Sequence, residues 1–140
     1  TEKLQILLNA KVNDDFNKLK DEALMGNKKN TNLLLSETEI ENEKNIFYLN
    51  TINQRLNKIF EVNDKIFNNL EEAIDNVKPP IFWKDKPNFT YQAKKWNKLK
   101  IKKLLVQTYE VEKMIKSNNL IEKNLLIKKL IVDICELANS

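Results

Sequence analysis

The scarcity of chain-breaking residues constrains the fold most, because the sequence contains one glycine and three prolines in 140 residues. Both counts lie far below ordinary usage. Proteins built from short strands need turn residues about every 8–12 positions, whereas helices need few. Hydrophobic residues make up 41% of the chain, enough for a core, and basic and acidic residues nearly balance at 24 and 20. The composition therefore predicts one all-α domain, a compact bundle of about six to seven helices.

Apolar spacing predicts the helices of the N-terminal half. Residues 1 to about 10 are predicted to form one helical stretch. Asn13 or Asp14 is placed to cap a second helix, which should end at Gly26 with a left-handed residue. The other segments predicted to be helical in this half are residues 32–36 and about 39–62.

Two adjacent prolines interrupt the helical pattern in the middle of the chain. Asp64 is placed to cap a helix that carries Ile66 and Phe67. Pro79 and Pro80 should end this helix, because neither has an N–H to donate and the first restricts the residue before it. These residues predict a break before the aromatic segment that follows.

Three further signals divide the C-terminal part. Asp85 and Pro87 indicate a new helix with proline in its first turn. Asn97 is placed to cap the next helix, residues 117–119 should form a turn, and the last helix should cover about residues 120–138. The chain shows no internal repeat and no long linker.

The last helix is apolar around much of its circumference. A helix of this kind either lies at the centre of a bundle or is covered by a partner. If a partner covers it in nature, the isolated chain could pair with itself as an artificial homodimer. The residues predicted for a subunit interface are Leu126, Ile127, Leu130, Ile131 and Ile134.

The inventory of reactive side chains is poor. The chain has no histidine, the commonest general base. Glu39 and Glu43 could share a helix face, but carboxylate metal sites in bundles draw on several helices and usually on histidine. One glycine cannot form a phosphate-binding loop. We expect no catalytic residues, no metal and no cofactor.

The cysteine content and the apolar runs indicate the cellular setting. Cys135 is the only cysteine, so no internal disulfide can form, and a reducing, cytoplasmic compartment is expected. Among Ile134 and Leu137, its thiol should be structural. The longest apolar runs contain three residues, too few to cross a membrane, and no signal peptide is visible.

A basic segment lies at residues 83–103, where eight lysines oppose one aspartate for a local net charge of +7. Trp83, Tyr91 and Trp96 are interleaved with these lysines, a mixture typical of proteins that bind single strands. The alternative is a solvated helix face, with lysines favoured by A+T-rich codons and aromatic rings in the core. The candidate nucleic-acid contacts are Lys84, Lys86, Lys94, Lys95, Lys98 and Lys102.

Several weak motifs occur in a suggestive order. Pro79 and Pro80 precede Phe82 and Trp83, and then come Gln92 and Trp96, followed by Glu112 and Lys116 four positions apart; upstream lie Leu19, Asp21, Ala23 and Gly26. In this order the chain resembles the delta subunit of the DNA polymerase III clamp loader, most closely its alphaproteobacterial forms, over about residues 14–137.

The resemblance implies a role in assembly. Residues 1–11 would be the tail of a preceding lid domain, and residues 12–140 the helical collar. The first residue is Thr1, which suggests a piece of a longer protein. The partners would be the collars of the tau/gamma and delta-prime subunits, in a loader that places the sliding clamp on primed DNA. The parent would be a subunit of a DNA-directed DNA polymerase holoenzyme, while this chain holds no catalytic group.

Two other functions stay open. One is a free-standing basic helical module that binds single-stranded or primed nucleic acid, through the segment at residues 83–103. The other is a free-standing helical protein whose likeness to the delta subunit is accidental.

Overall fold

A computed structural model describes residues 1–65, 69–117 and 122–140. Within these ranges the chain forms seven α-helices and no strand, which confirms the predicted all-α bundle. A 3₁₀ turn at Asn42–Lys44 precedes the third helix. The helices are α1 (Glu2–Leu24), α2 (Lys28–Glu37), α3 (Asn45–Asp64), α4 (Leu70–Asp75), α5 (Lys86–Lys95), α6 (Lys98–Lys116) and α7 (Lys123–Ala138).

Helices α3 and α7 form the centre of the bundle. Helix α7 packs against α1, α2, α3 and α6, while α3 also contacts α4 and α5. The Phe16 ring on α1 stacks on Tyr48 of α3 with 4.3 Å between ring centroids. Both rings are fully buried, as is Ile127 on α7. The broad apolar circumference of α7 is therefore largely buried within the chain itself.

The first helix is continuous. The prediction of a new helix at Asn13 or Asp14 is wrong, because α1 runs from Glu2 to Leu24 without interruption. Neither glycine nor proline breaks this stretch, and the Asn13 side chain accepts a hydrogen bond from Lys44 Nζ at 3.3 Å instead of capping. The helix crosses the predicted boundary between residues 11 and 12, and residues 1–11 are all exposed.

Gly26 ends the first helix as predicted. Its φ of 74° is left-handed, its N–H donates to Ala23 O at 2.9 Å, and the N–H of Asn27 donates to Glu22 O at 3.1 Å. These two bonds form a Schellman motif, which satisfies the last carbonyl groups of the helix. The motif is fastened to the C-terminus, because Asn139 Nδ2 donates to Gly26 O at 2.8 Å.

The start of α3 differs from the prediction. The helix begins at Asn45, not near residue 39, because the preceding segment is partly extended. Ile40 is buried in this segment, and the N–H of Glu41 donates to Tyr48 Oη at 3.0 Å. In the sequence, a buried residue of an extended segment such as Ile40 is not distinguishable from one more apolar position of the following helix. Glu39 and Glu43 therefore do not share a helix face.

The prediction that Asp64 caps a helix is also wrong, since Asp64 is the last residue of α3 and the Asn69 side chain caps α4. Helix α4 ends at Asp75, before the two prolines, as predicted; the Lys78–Pro79 peptide bond is cis. Predictions at Ile66, Phe67 and residues 118–121 fall outside the described residues.

The starts of α5 and α6 agree with the sequence. Asp85 occupies the N-cap of α5, with Pro87 in the first turn. The Asn97 side chain accepts a hydrogen bond from Lys100 N at 2.8 Å and so caps α6. None of the described helices combines the length and the apolar content that a bilayer crossing requires.

Candidate functional site

A buried polar network surrounds Arg55, the only arginine of the chain. Its side chain is 8% exposed and forms a bidentate pair with Asp85, with Nη1–Oδ2 and Nη2–Oδ1 distances of 2.7 and 3.0 Å. Its Nε donates to Gln92 Oε1 at 2.7 Å. The guanidinium carbon lies 4.9 Å from the centre of the Phe89 ring. Arg55 thus joins α3 to the N-cap and to the buried face of α5.

Two side chains extend this network from α5 to α1. Gln92 Nε2 donates to the carbonyl oxygen and to Oδ1 of Asp21, both at 3.2 Å. Trp96 Nε1 donates to Leu24 O at 2.7 Å. Gln92 and Trp96 of the clamp-loader pattern are both buried, and through Asp21 and Leu24 they fix the mutual positions of α1 and α5.

The electrostatics of the network are those of paired charges. Burial opposes ionisation of Asp85 most strongly, but the hydrogen bonds and charge of Arg55 outweigh it and hold the pKa of Asp85 below its usual value. Burial lowers the pKa of Lys20 next to the network, although the neighbouring Asp21 opposes the shift. This arrangement stabilises a fold and presents no obvious nucleophile.

The remaining residues of the pattern lie apart from this network. Glu112 and Lys116 form the predicted pair on α6 at 3.0 Å, with both side chains at the surface. Pro79, Pro80 and Phe82 are exposed in the connection between α4 and α5.

The candidate lysines lie just before α5, on α5 and at the start of α6, and several have partners. Lys98 pairs with Asp64 at 2.6 Å, and Lys86 pairs with Asp75. These acids come from outside the basic segment, so folding lowers its local net charge. Lys95 Nζ donates to Asn139 Oδ1 at 3.3 Å. Lys84, Lys94, Lys98 and Lys102 are exposed.

Some of these lysines border a groove between the start of α4 and one face of α5. This α4–α5 groove has a volume of about 740 Å³, and its lining includes Leu70, Trp83, Lys86, Tyr91 and Lys94. Trp83 is 71% exposed and Tyr91 51%, whereas Trp96 is 2% exposed. The fold therefore places one predicted aromatic residue in the core and two beside lysines.

A second groove is apolar and lies between α6 and α7. This α6–α7 groove has a volume of about 500 Å³ and is lined mainly by Val106, Met114, Leu125, Leu126 and Leu130, with Glu110, Lys129 and Asp133 among its polar residues. Val106 is 61% exposed and Leu125 52%. An apolar groove with charged side chains at its edge is the kind of surface that accepts an amphipathic helix.

The predicted interface on α7 needs correction. Four neighbouring helices surround α7, so all five side chains proposed for the interface are buried within this chain. Leu126 and Leu130 reach the lining of the α6–α7 groove. The exposed apolar residues of that groove are instead Val106, Met114 and Leu125. The buried side chains are Leu126, Ile127, Leu130, Ile131 and Ile134.

The described residues include no group of three or more histidine, cysteine, aspartate or glutamate side chains that could hold a metal ion. Cys135 is buried in α7. Comparison with known proteins yields no matching family model, no matching curated protein and no matching solved structure.

Proposed function

We propose that this chain is a non-catalytic assembly module, of the kind formed by the collar domain of the clamp-loader delta subunit. In this role it joins neighbouring subunits through exposed apolar helix faces, while other subunits carry out the chemistry. The observation that carries the proposal is the α6–α7 groove.

The groove has the features of a protein-docking surface. Leu126 and Leu130 are nearly buried within it, and Leu125 and Val106 stand exposed beside them. A partner helix with an apolar stripe would cover these exposed side chains and remove their apolar area from water. Lys129 Nζ lies 2.9 Å from Asp133 Oδ2, so part of the charged edge is already paired.

A second apolar surface lies on the first half of α1. Leu4, Ile6, Leu7 and Leu8 are all more than half exposed, and Leu4, Leu7 and Leu8 share one helix face. This surface belongs to a different helix from the two that form the groove. Because the resemblance assigns residues 1–11 to the tail of a preceding lid domain, this surface would contact that domain, and the α6–α7 groove is the docking surface proposed for a neighbouring collar.

The resemblance supplies the identity of the partners. They would be the collars of the tau/gamma and delta-prime subunits, and the assembled loader would place the sliding clamp on primed DNA during replication.

The test is assembly with those collars from the same genome. We expect a stable complex at micromolar concentration by size-exclusion chromatography with light scattering. Leu125→Glu should weaken association on the order of 30-fold, the effect of losing a hot-spot side chain worth about 2 kcal/mol. Leu33→Glu is the matched control, since Leu33 is equally exposed on α2. No association, or equal effects of both substitutions, would overturn the proposal.

A further inference from the structure

We infer that the α4–α5 groove binds single-stranded nucleic acid. Trp83 and Tyr91 stack on the bases, and Lys94 contacts a phosphate, while Lys86 is paired with Asp75. This inference goes beyond the assembly role and does not depend on it.

The face of α5 that borders the groove repeats at helical spacing. Lys86, Thr90 and Lys94 lie four residues apart in succession, and Pro87 and Tyr91 form a parallel row. The two lysines are separated by two turns, about 12 Å along the helix axis. The side chains of Lys86 and Lys94 therefore begin near opposite ends of a strip that also carries Tyr91, and the Lys94 side chain is exposed. A flexible strand can place its phosphates and its bases against such a strip together.

The exposure of Trp83 needs an explanation. Tryptophan is usually well buried, as Trp96 is here, yet Trp83 is 71% exposed, and its ring centre lies 5.9 Å from that of the exposed Phe82. Lys84 Nζ lies 5.3 Å from the Trp83 ring. An aromatic surface beside ammonium groups matches a ligand with π faces and negative charge, and single-stranded nucleic acid has both.

The charges around the groove determine whether base stacking or phosphate attraction contributes more to the binding free energy. Glu71 lines the groove and Asp75 pairs with Lys86, so the groove is only moderately positive. Stacking should therefore contribute more than phosphate attraction. Arg55 is buried in the core, so no arginine is available for bidentate base recognition. The groove should consequently prefer single strands, whose bases are free to stack, and should tolerate different sequences.

The test is fluorescence anisotropy of a labelled oligothymidylate of about 15 nucleotides, long enough to span a typical single-strand site. We expect saturable binding by the full chain at low salt. Trp83→Ala should weaken binding about 5- to 150-fold, the range for losing one stacked base. Tyr109→Ala is the matched control, because Tyr109 is 59% exposed and Lys113 Nζ lies 5.3 Å from its ring. This control should bind like the unmodified chain.

A salt titration separates phosphate contact from stacking. Lys94→Gln should reduce the slope of log affinity against log salt by about 0.7, the value for one single-strand phosphate. Trp83→Ala should leave this slope unchanged. Both substituted side chains are exposed, so the variants should keep the urea midpoint of the unmodified chain.

Three results would overturn the inference. One is a Trp83→Ala variant that binds the oligonucleotide as tightly as the unmodified chain. The second is equal affinity for duplex and single strand. The third is no oligonucleotide binding at low salt. If Trp83→Ala then also weakens assembly with a partner collar, the groove is a protein contact.

Discussion

Replacement of Arg55 by methionine tests whether the buried network holds the bundle together. Methionine retains an unbranched apolar stem, so Arg55→Met removes the charge and the hydrogen bonds while keeping much of the packing. The substitution leaves the Asp85 carboxylate and Gln92 Oε1 without the donors that now lie 2.7–3.0 Å away.

The burial of the Arg55–Asp85 pair determines how much stability Arg55→Met removes. Removing one partner of a buried ion pair costs about 3–5 kcal/mol, because the other charge is left uncompensated. Asp85 is 33% exposed and can regain some water, so we expect the lower end, about 3 kcal/mol. That loss is a large part of the roughly 5–15 kcal/mol that stabilises an ordinary domain.

Urea unfolding followed by circular dichroism measures this loss. Lys98→Met is the control, because Lys98 pairs with Asp64 at 2.6 Å but both side chains are about half exposed; it should cost less than about 1 kcal/mol. A double-mutant cycle with Asp85→Asn should give a coupling energy of about 2 kcal/mol. A loss below about 1 kcal/mol for Arg55→Met, or no coupling to Asp85, would refute the reasoning.

The same pair gives a pH dependence. The pKa of Asp85 is lowered in the folded state, so its contribution to stability is complete above the unfolded carboxyl value of about 3.9 and is lost as pH falls through the folded value. The stability difference between the unmodified chain and Arg55→Met should therefore shrink in acid. A difference that stays constant through this range would count against the ion pair.

Two further substitutions address the interior and the helix end. Gly26→Ala should lower the free energy of unfolding, measured in urea, by about 1–3 kcal/mol, because φ is 74° and the new Cβ would lie 2.6 Å from Asn139 Oδ1. A combined Asn139→Ala change should recover part of that loss. If the effects of the two substitutions simply add, the clash is excluded. Lys20→Met should stabilise the chain by up to about 1 kcal/mol at neutral pH, because burial lowers the pKa of Lys20. Between the pKa of Lys20 in the folded state and its ordinary pKa of 10.5, the unfolded state binds more protons than the folded state. The gain in stability from Lys20→Met should therefore shrink as pH rises through that window. A destabilised variant would contradict this prediction.

Local chemistry made parts of the fold predictable. Gly26 and Asn97 mark helix ends because a left-handed residue and a side-chain cap act within a few positions of the chain. The prediction of a helix start at Asn13 was wrong because a good cap residue is also tolerated inside a long helix. In this chain the Asn13 side chain binds Lys44 instead. The start of α3 was predicted too early because no glycine or proline marks the end of the extended segment that holds the buried Ile40.

The candidate surfaces depended on tertiary placement. The apolar pattern of α7 could not distinguish a central helix from an interface helix, since three of the helices that pack against α7 (α1, α2 and α3) are distant in sequence. The role of Arg55 was missed, although a signal existed: the single arginine falls between Ile52 and Leu56 in the buried stripe of α3. Lysine spacing alone could not foresee that Asp64 and Asp75 would pair with Lys98 and Lys86.

Amide hydrogen exchange tests the proposed docking role of the α6–α7 groove most directly. The chain is compared alone and mixed with the tau/gamma and delta-prime collars. We expect slower exchange at residues 106–114 and 125–133, with little change at residues 83–94. Unchanged exchange at the α6–α7 groove in the presence of both collars would contradict the account.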